Sequence, residues 1–206
     1  MYRKLDEKDL NAILEAGIEA FSRSGLDRTG MSDVAKAAGV SVGVIYKYYA
    51  DKDTFFLACV RYALRELDAA LERAARYEGG VREAMRALIA ALIDHSRRHP
   101  SHNMLYNEIT SGSCRRYAPQ LAREIESRSA EAYARMMERV LAAGGSAEGA
   151  DARLFAFFFD NLLMSLQFSY SCDYYRERMK LFCGGDVDDE RMTEGFLNFM
   201  CGALGV

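Results

Sequence analysis

Thr29-Gly30-Met31-Ser32-Asp33-Val34-Ala35-Lys36-Ala37-Ala38-Gly39-Val40-Ser41-Val42-Gly43-Val44-Ile45-Tyr46-Lys47-Tyr48-Tyr49 is the stretch that sets the reading of the whole chain. Val34, Ala35 and Ala38 give a short helix, residues 31–38, one small apolar face. The small Ala35 lets a neighbouring helix come close. Gly39 supplies the unhindered backbone that a tight helix-to-helix turn needs. Val40 pins that turn to the core, and Ser41 caps the next helix of about two turns. On that helix Ile45 and Tyr49, spaced i and i+4, face inward, which leaves Val42, Gly43, Val44, Lys47 and Tyr48 outward. A helix so exposed fits the major groove of duplex DNA, with its N-terminal residues against base edges.

Upstream, Leu10, Ile13, Leu14, Ile18 and Phe21 recur at helical spacing, with Asp6 as a cap and Gly25 as the terminating residue. Downstream, Asp51 opens a fourth helix expected to run to about Tyr77, roughly 40 Å at 1.5 Å per residue. Gly79-Gly80 breaks the chain. A fifth helix runs from about Val81 to His99, where Pro100 stops it. A short sixth spans about Ser101 to Ser111, and a seventh about Pro119 to Gly144-Gly145. An eighth is expected from near Ala147 to Ser171, reaching toward Phe182. Gly184-Gly185 separates it from a last helix whose start carries Asp186, Asp188 and Asp189, acids that suit the helix dipole. The expected fold is all-α with about nine helices. Residues 1–50 form a three-helix head, and 51–206 form a helical second domain.

Composition agrees. Half of the 206 residues are hydrophobic and only two are proline, and the common residues are helix formers. No run alternates like a strand. No apolar leader precedes the charged Asp6-Glu7-Lys8-Asp9. The densest apolar stretch, Leu154 to Leu166, is interrupted by Asp160, Asn161 and Ser165, so no membrane span is expected. Five scattered cysteines without a CxxC fit a reducing cytoplasm. Charge gives the weakest support for nucleic-acid binding. The net is −3 overall, and residues 1–55 hold eight Lys/Arg against nine Asp/Glu, where a basic footprint is usual.

The stretch resembles the tetracycline-repressor (TetR) family of regulators. The family pattern is matched through Val34-Ala35, Ala38-Gly39-Val40-Ser41, Gly43, Tyr46, Tyr48, Tyr49 and Lys52, within residues 8–56. Gly30 stands where a capping Thr is usual, and Tyr49 where Phe is common. The resemblance implies a DNA-binding transcriptional regulator, a repressor more often than an activator, released from a palindromic operator by a small-molecule effector. It implies that Thr29, Tyr46, Tyr48 and Lys52 contact phosphates. It makes Val42, Val44 and Lys47 the base readers, the valines toward thymine methyls and Lys47 toward guanine, with Gly43 allowing close approach.

The second half reads as sensing and dimerising. Leu154, Phe155, Phe157, Phe158, Phe159, Leu162, Leu163, Met164, Leu166 and Phe168 make the eighth helix apolar nearly all round. The last helix carries Met192, Phe196, Phe199, Met200 and Ala203 on one face. Phe158, Leu162, Phe196, Phe199 and Met200 are therefore expected in a two-fold homodimer interface. By position in similar regulators, Tyr62, Leu92, Met104, Tyr106, Tyr133, Met137 and Phe159, with Met85 and Met136, are candidates to line a pocket for an apolar or aromatic effector. Each reads equally as core.

His95 and His99 at i, i+4, with His102, offer a metal-binding spacing, although histidines also suit a helix C-terminus. Cys114 beside Arg115 and Arg116 offers a redox thiol, with a surface thiol as the commoner reading. No nucleophile elbow, phosphate loop or HExxH is present, so neither catalysis nor a cofactor is expected. The rival readings are a dimeric ligand-binding or interaction module without DNA affinity, and a metal or redox protein.

Overall fold

Ten α-helices and one 3₁₀ turn, with no strand, build the described residues: α1 Glu7–Arg28, α2 Met31–Ala37, α3 Val42–Tyr48, α4 Lys52–Ala63, α5 Val81–Arg98, α6 Pro100–Glu108, the 3₁₀ turn Gly112–Tyr117, α7 Ala118–Ala142, α8 Ala152–Ser171, α9 Asp173–Cys183 and α10 Asp189–Leu204. The computed structural model describes residues 5–65, 68–69, 72–73, 76–77, 79–142 and 151–204. The expected all-α class stands. The helix count rises because the expected eighth helix is two: Cys172 takes an extended conformation between α8 and α9. The fourth helix is shorter than expected. α4 closes at Ala63 with Leu64 as its C-cap, and its continuation to Tyr77 crosses residues 66–67, 70–71, 74–75 and 78, which lie outside the described residues. The segment 147–150, where the eighth helix was expected to start, lies outside them too.

The chain divides into two compact units. The first is larger than the 1–50 head expected from sequence. It runs to Arg65 and takes in Ser101–Pro119, because α4 and the 3₁₀ turn both pack on α1. Its core is built from Ile13, Ile18 and Phe21 of α1, Ile45 of α3 and Phe55, Phe56 and Cys59 of α4, all fully buried. Phe21 meets Phe56 edge-on with ring centroids 5.1 Å apart. The approach of α1 to α4 depends on Gly17, since a Cβ there would lie 2.6 Å from both Cys59 Sγ and the Phe55 ring. Asp6 caps α1 through the Asp9 N–H, and Asp51 caps α4 through the Thr54 N–H.

Gly25 does not simply end α1. It forms a left-handed kink at φ 77°, after which the chain turns once more to Arg28. The kink frees the Leu26 N–H, which donates to Glu108 Oε1 at 3.0 Å. The same carboxylate oxygen accepts from the Ser111 and Ser113 hydroxyls. Glu108 thus ties the end of α6 to the end of α1.

In the second unit, α5, α7, α8 and α10 enclose one core. It holds Leu88, Ile89 and Leu92 of α5, Tyr133 and Met137 of α7, Phe159 and Leu163 of α8, and Leu197 and Met200 of α10. Asp151 caps α8 by accepting from the Arg153 and Leu154 N–H groups. The register of α10 on α5 is marked by ion pairs. Arg86 pairs with Glu190 and Glu194, and Arg97 grips Asp189 with both nitrogens. These pairs are exposed and individually weak, so they select the register more than they stabilise the fold. α9 rests on α8 and has no buried residue.

Candidate functional site

The turn between α2 and α3 is a Schellman closure. Gly39 sits at φ 69°, its N–H donates to the Lys36 carbonyl, and the Val40 N–H reaches back to the Ala35 carbonyl at 2.9 Å. Only glycine takes this conformation without strain. The motif satisfies the last carbonyls of α2 and redirects the chain within four residues. Ser41 then stands at the N-cap of α3 in extended conformation, without a side-chain capping bond. α3 buries a single side chain, Ile45. Tyr49, at its C-cap, packs edge-on against Phe55 at 5.0 Å, and burial pushes its phenol pKa upward.

With only Ile45 fully buried, much of α3 stays accessible. Gly43, Tyr46 and Lys47 are exposed, and Val42, Val44 and Tyr48 are half-buried. Nothing lies near a Cβ at Gly43 except the Ser41 hydroxyl at 3.9 Å, so a flat surface could approach the backbone there. Lys47 Nζ lies 5.9 Å from the centre of the Tyr48 ring. The Tyr48 hydroxyl accepts from the Leu5 N–H at 2.9 Å, which ties the start of the chain to this helix. Lys52, in the first turn of α4, donates to the Asp27 carbonyl at 3.0 Å. This bond holds its ammonium beside the α1–α2 junction.

Thr29 is a correction. Its side chain is buried, and its hydroxyl is engaged with the carbonyls of Gly25 at 2.7 Å and Ala20 at 3.2 Å. A hydroxyl that closes the kinked end of α1 is not available to a phosphate. Gly30, at the N-cap of α2, follows it in the extended form that a cap requires.

The pocket candidates divide. In the first unit, Tyr62, Met104 and Tyr106 are half-buried. Arg65 stacks 4.0 Å from the centre of the Tyr62 ring, and the His102 ring lies 6.2 Å from it. In the second unit, Leu92, Tyr133, Met137 and Phe159 are sealed in the core, with Tyr133 edge-on to Phe159 at 5.2 Å. Met85 and Met136 are buried there as well. A cavity of about 210 Å³ opens instead beside Val81, Met85, Val140 and Cys201, and only Met85 among the candidates touches it. Asp160 of α8 was not foreseen. Burial, and then the charge of Glu126 on α7, lift its carboxyl to about 6. Its place inside an apolar run was the available sign.

Phe158, Leu162 and Phe199 stand on the surface of the protomer, and Phe196 is half-buried. Leu154 and Phe157 join them as exposed apolar side chains. Met200 is a second correction. At 3% exposure it belongs to the core of its own chain, because α10 turns the stripe Thr193, Leu197, Met200 and Cys201 inward and presents Phe199 outward.

Cys114 is buried rather than at the surface. Desolvation raises its thiol pKa and outweighs neighbouring Arg116, which is the opposite of an activated redox thiolate. His95 and His99 stack at 5.1 Å, and His102 Nε2 lies 3.1 Å from Glu15 Oε2. Among the described residues no helix is long and apolar enough to cross a membrane.

The family model described as bacterial regulatory proteins of the tetR family matches residues 13–59, the stretch from the middle of α1 into α4. The HTH-type transcriptional regulator BetI of Burkholderia mallei (strain NCTC 10229) is 33% identical over 86 residues, 41% of this chain and 44% of the relative. The matched stretch thus spans less than half the length of the curated relatives. A TetR-like transcriptional regulator from Rhodococcus sp. RHA1 superposes with a TM-score of 0.71 at 21% identity, covering 99% of this chain and all of the other. FadR from Bacillus subtilis, solved in complex with stearoyl-CoA, superposes with a TM-score of 0.72 at 16% identity, covering 96% and 99%. At these identities the structures share a fold.

Proposed function

We propose that the chain, whose residues 13–59 match the model of the tetR family of bacterial regulatory proteins, is a TetR-family, sequence-specific, operator-binding regulator whose DNA affinity is set by a small-molecule effector. One observation carries the reading. α3 buries only Ile45 and leaves Gly43, Tyr46 and Lys47 exposed, with Val42 and Val44 half-buried beside them. That is the arrangement of a recognition helix, with two valines for thymine methyls and a lysine for a guanine edge. Tyr46, Tyr48 and Lys52 flank it and would hold phosphates. A two-fold dimer through α8 and α10 would present two such helices to successive major grooves, about 34–36 Å apart.

The effector would be apolar or aromatic. The cavity of about 210 Å³ is below the roughly 300–1,000 Å³ usual for ligand pockets. An effector seated among Leu92, Tyr133, Met137 and Phe159 would part that core and favour a conformer with altered head spacing. A coupling on the order of 1–3 kcal/mol would change DNA affinity about 5–150-fold. Repression is the sign that family likeness favours.

Selection of bound duplexes from a random pool tests this. A palindrome with half-sites one helical turn apart is expected, and recovery of no enriched duplex at low salt would reject the reading. With the enriched site in hand, Lys47→Ala is expected to relax preference at one base pair, at a cost of about 1–3 kcal/mol. Lys52→Ala is expected to weaken all duplexes alike. The near-balance of charge over residues 1–55 favours a second reading, a dimeric interaction module without DNA affinity. Steep salt dependence of duplex binding would exclude it, because phosphate contacts release counterions.

A further inference from the structure

We propose that the backbone N–H of Leu5 is a positioning group for DNA binding, fixing the Tyr48 hydroxyl as a donor toward a phosphate. The inference rests on the regulator reading above, in which Tyr48 holds a phosphate, and adds the group that orients it. The Leu5 N–H donates to Tyr48 Oη at 2.9 Å and joins residues 43 positions apart. Leu5 stands just before Asp6, the N-cap of α1. Its N–H lies outside the helix, has no carbonyl to serve there, and is available to a side chain. The cap sets where Leu5 stands, because the Asp6 carboxylate accepts from the Asp9 N–H at 2.8 Å. α1 is held in turn by Ile13, Ile18 and Phe21, buried in the core of the head.

The chemistry of the phenol supplies the rest. A tyrosine hydroxyl both donates and accepts, and its proton rotates to suit its partner. At Tyr48 the oxygen already accepts from an N–H, so the proton turns away from Leu5 and is what the group offers to a partner. A phosphate oxygen only accepts, and the pinned hydroxyl matches it. An N–H donated to the oxygen also makes its O–H the stronger donor, since bonds in such a chain reinforce one another. Tyr48 is the last residue of α3 and is half-buried, so its ring is confined while the hydroxyl is held from the α1 side. The donor is main chain, and any residue except proline supplies it at position 5. Residue type at that position therefore carries no sign of the role.

The test compares wild type, Leu5→Ala, Leu5→Pro, Tyr48→Phe and the double variant Leu5→Pro/Tyr48→Phe on the enriched duplex and on an unrelated one, over a salt series. Proline removes the N–H, whereas alanine keeps it and only shortens the side chain. Tyr48→Phe is expected to weaken both duplexes about tenfold, as for loss of a bond to a charged acceptor. Leu5→Pro is expected to weaken both by about threefold to tenfold, Leu5→Ala by less than about twofold, and the double variant no more than Tyr48→Phe. The salt slope is expected to stay at the wild-type value in all four, since no cation is lost, while Lys52→Ala lowers it by about 1. Amide exchange at Leu5, followed by NMR in the free protein, needs no proline variant: it is expected to be slowed in wild type and fast in Tyr48→Phe. Additive losses in the double variant, equal losses from Leu5→Ala and Leu5→Pro, or equal exchange in wild type and Tyr48→Phe would each overturn the positioning role while DNA binding stood. A wild type that binds neither duplex at low salt would overturn both readings.

Discussion

At the scale of single residues, short-range chemistry and long-range packing part company. Gly39 is a case of the first. Its neighbours Ala38 and Val40 already demand a turn, and the left-handed backbone with its two capping bonds follows from the residue type. Gly39→Ala would force a side chain into that conformation, at about 1–2 kcal/mol; a lowered urea midpoint with an unchanged slope would show it. Gly17 is a case of the second. Nothing around it in sequence distinguishes it from any other helical glycine, yet it lies against Cys59 and Phe55, residues some 40 positions away. Gly17→Ala adds one methyl group where none fits, so a loss of about 1–3 kcal/mol in thermal unfolding is expected, although alanine is the better helix former. Thr29 belongs with Gly17. Its place in the family pattern points outward, while the kink at Gly25 turns its hydroxyl onto two carbonyls.

At the scale of elements, caps set the boundaries that the sequence made legible. Asp6 and Asp51 each accept from the N–H three residues on, so those helix starts are encoded in a few adjacent residues; Asp151 caps α8 in the same way, although the sequence pattern places that start near Ala147. Asp151→Ala is expected to cost about 1 kcal/mol, read as an earlier thermal transition. The break at Cys172 was not legible. No glycine or proline marks it, and the only local sign is that Ser169 to Tyr175 are weaker helix formers than the residues on either side of them. It arises because the end of α8 is already held, the Ser171 hydroxyl donating to carbonyls at Gln167 and Ser96, while α9 turns aside. Residues 173–182 continue the helical spacing of α8, so local sequence does not separate the face of α9 from that of α8.

At the scale of the whole molecule, a misplaced charge gives a pH signature. Asp160 has a carboxyl pKa of about 6, raised mainly by burial and secondarily by Glu126. The folded protein therefore holds a proton more tightly than the unfolded chain, whose aspartate titrates near 3.8. Between those values the folded state binds more protons, so stability rises as pH falls from about 6 toward 4 and is lower above 6. Asp160→Asn is expected to raise the pH 7 melting temperature and to flatten this slope. The gain is at most about 3 kcal/mol, less what partial exposure removes; an unchanged slope would clear Asp160 of the effect. Phe199 and Met200 mark the corresponding limit of legibility. Helical spacing placed both on the apolar side of the last helix, yet one is 63% exposed and the other 3%. Their assignment follows from the rotation of α10 on α5, which Arg86 and Arg97 register against Glu190, Glu194 and Asp189 about a hundred residues away. The sequence by itself determined the helical class, most helix starts, and the head's turn with its outward recognition face, because caps and a glycine turn act within a few residues. Only the tertiary structure decided which apolar faces close the core and which remain for a partner, because burial depends on how distant helices are rotated against one another, and local residue order does not contain that rotation.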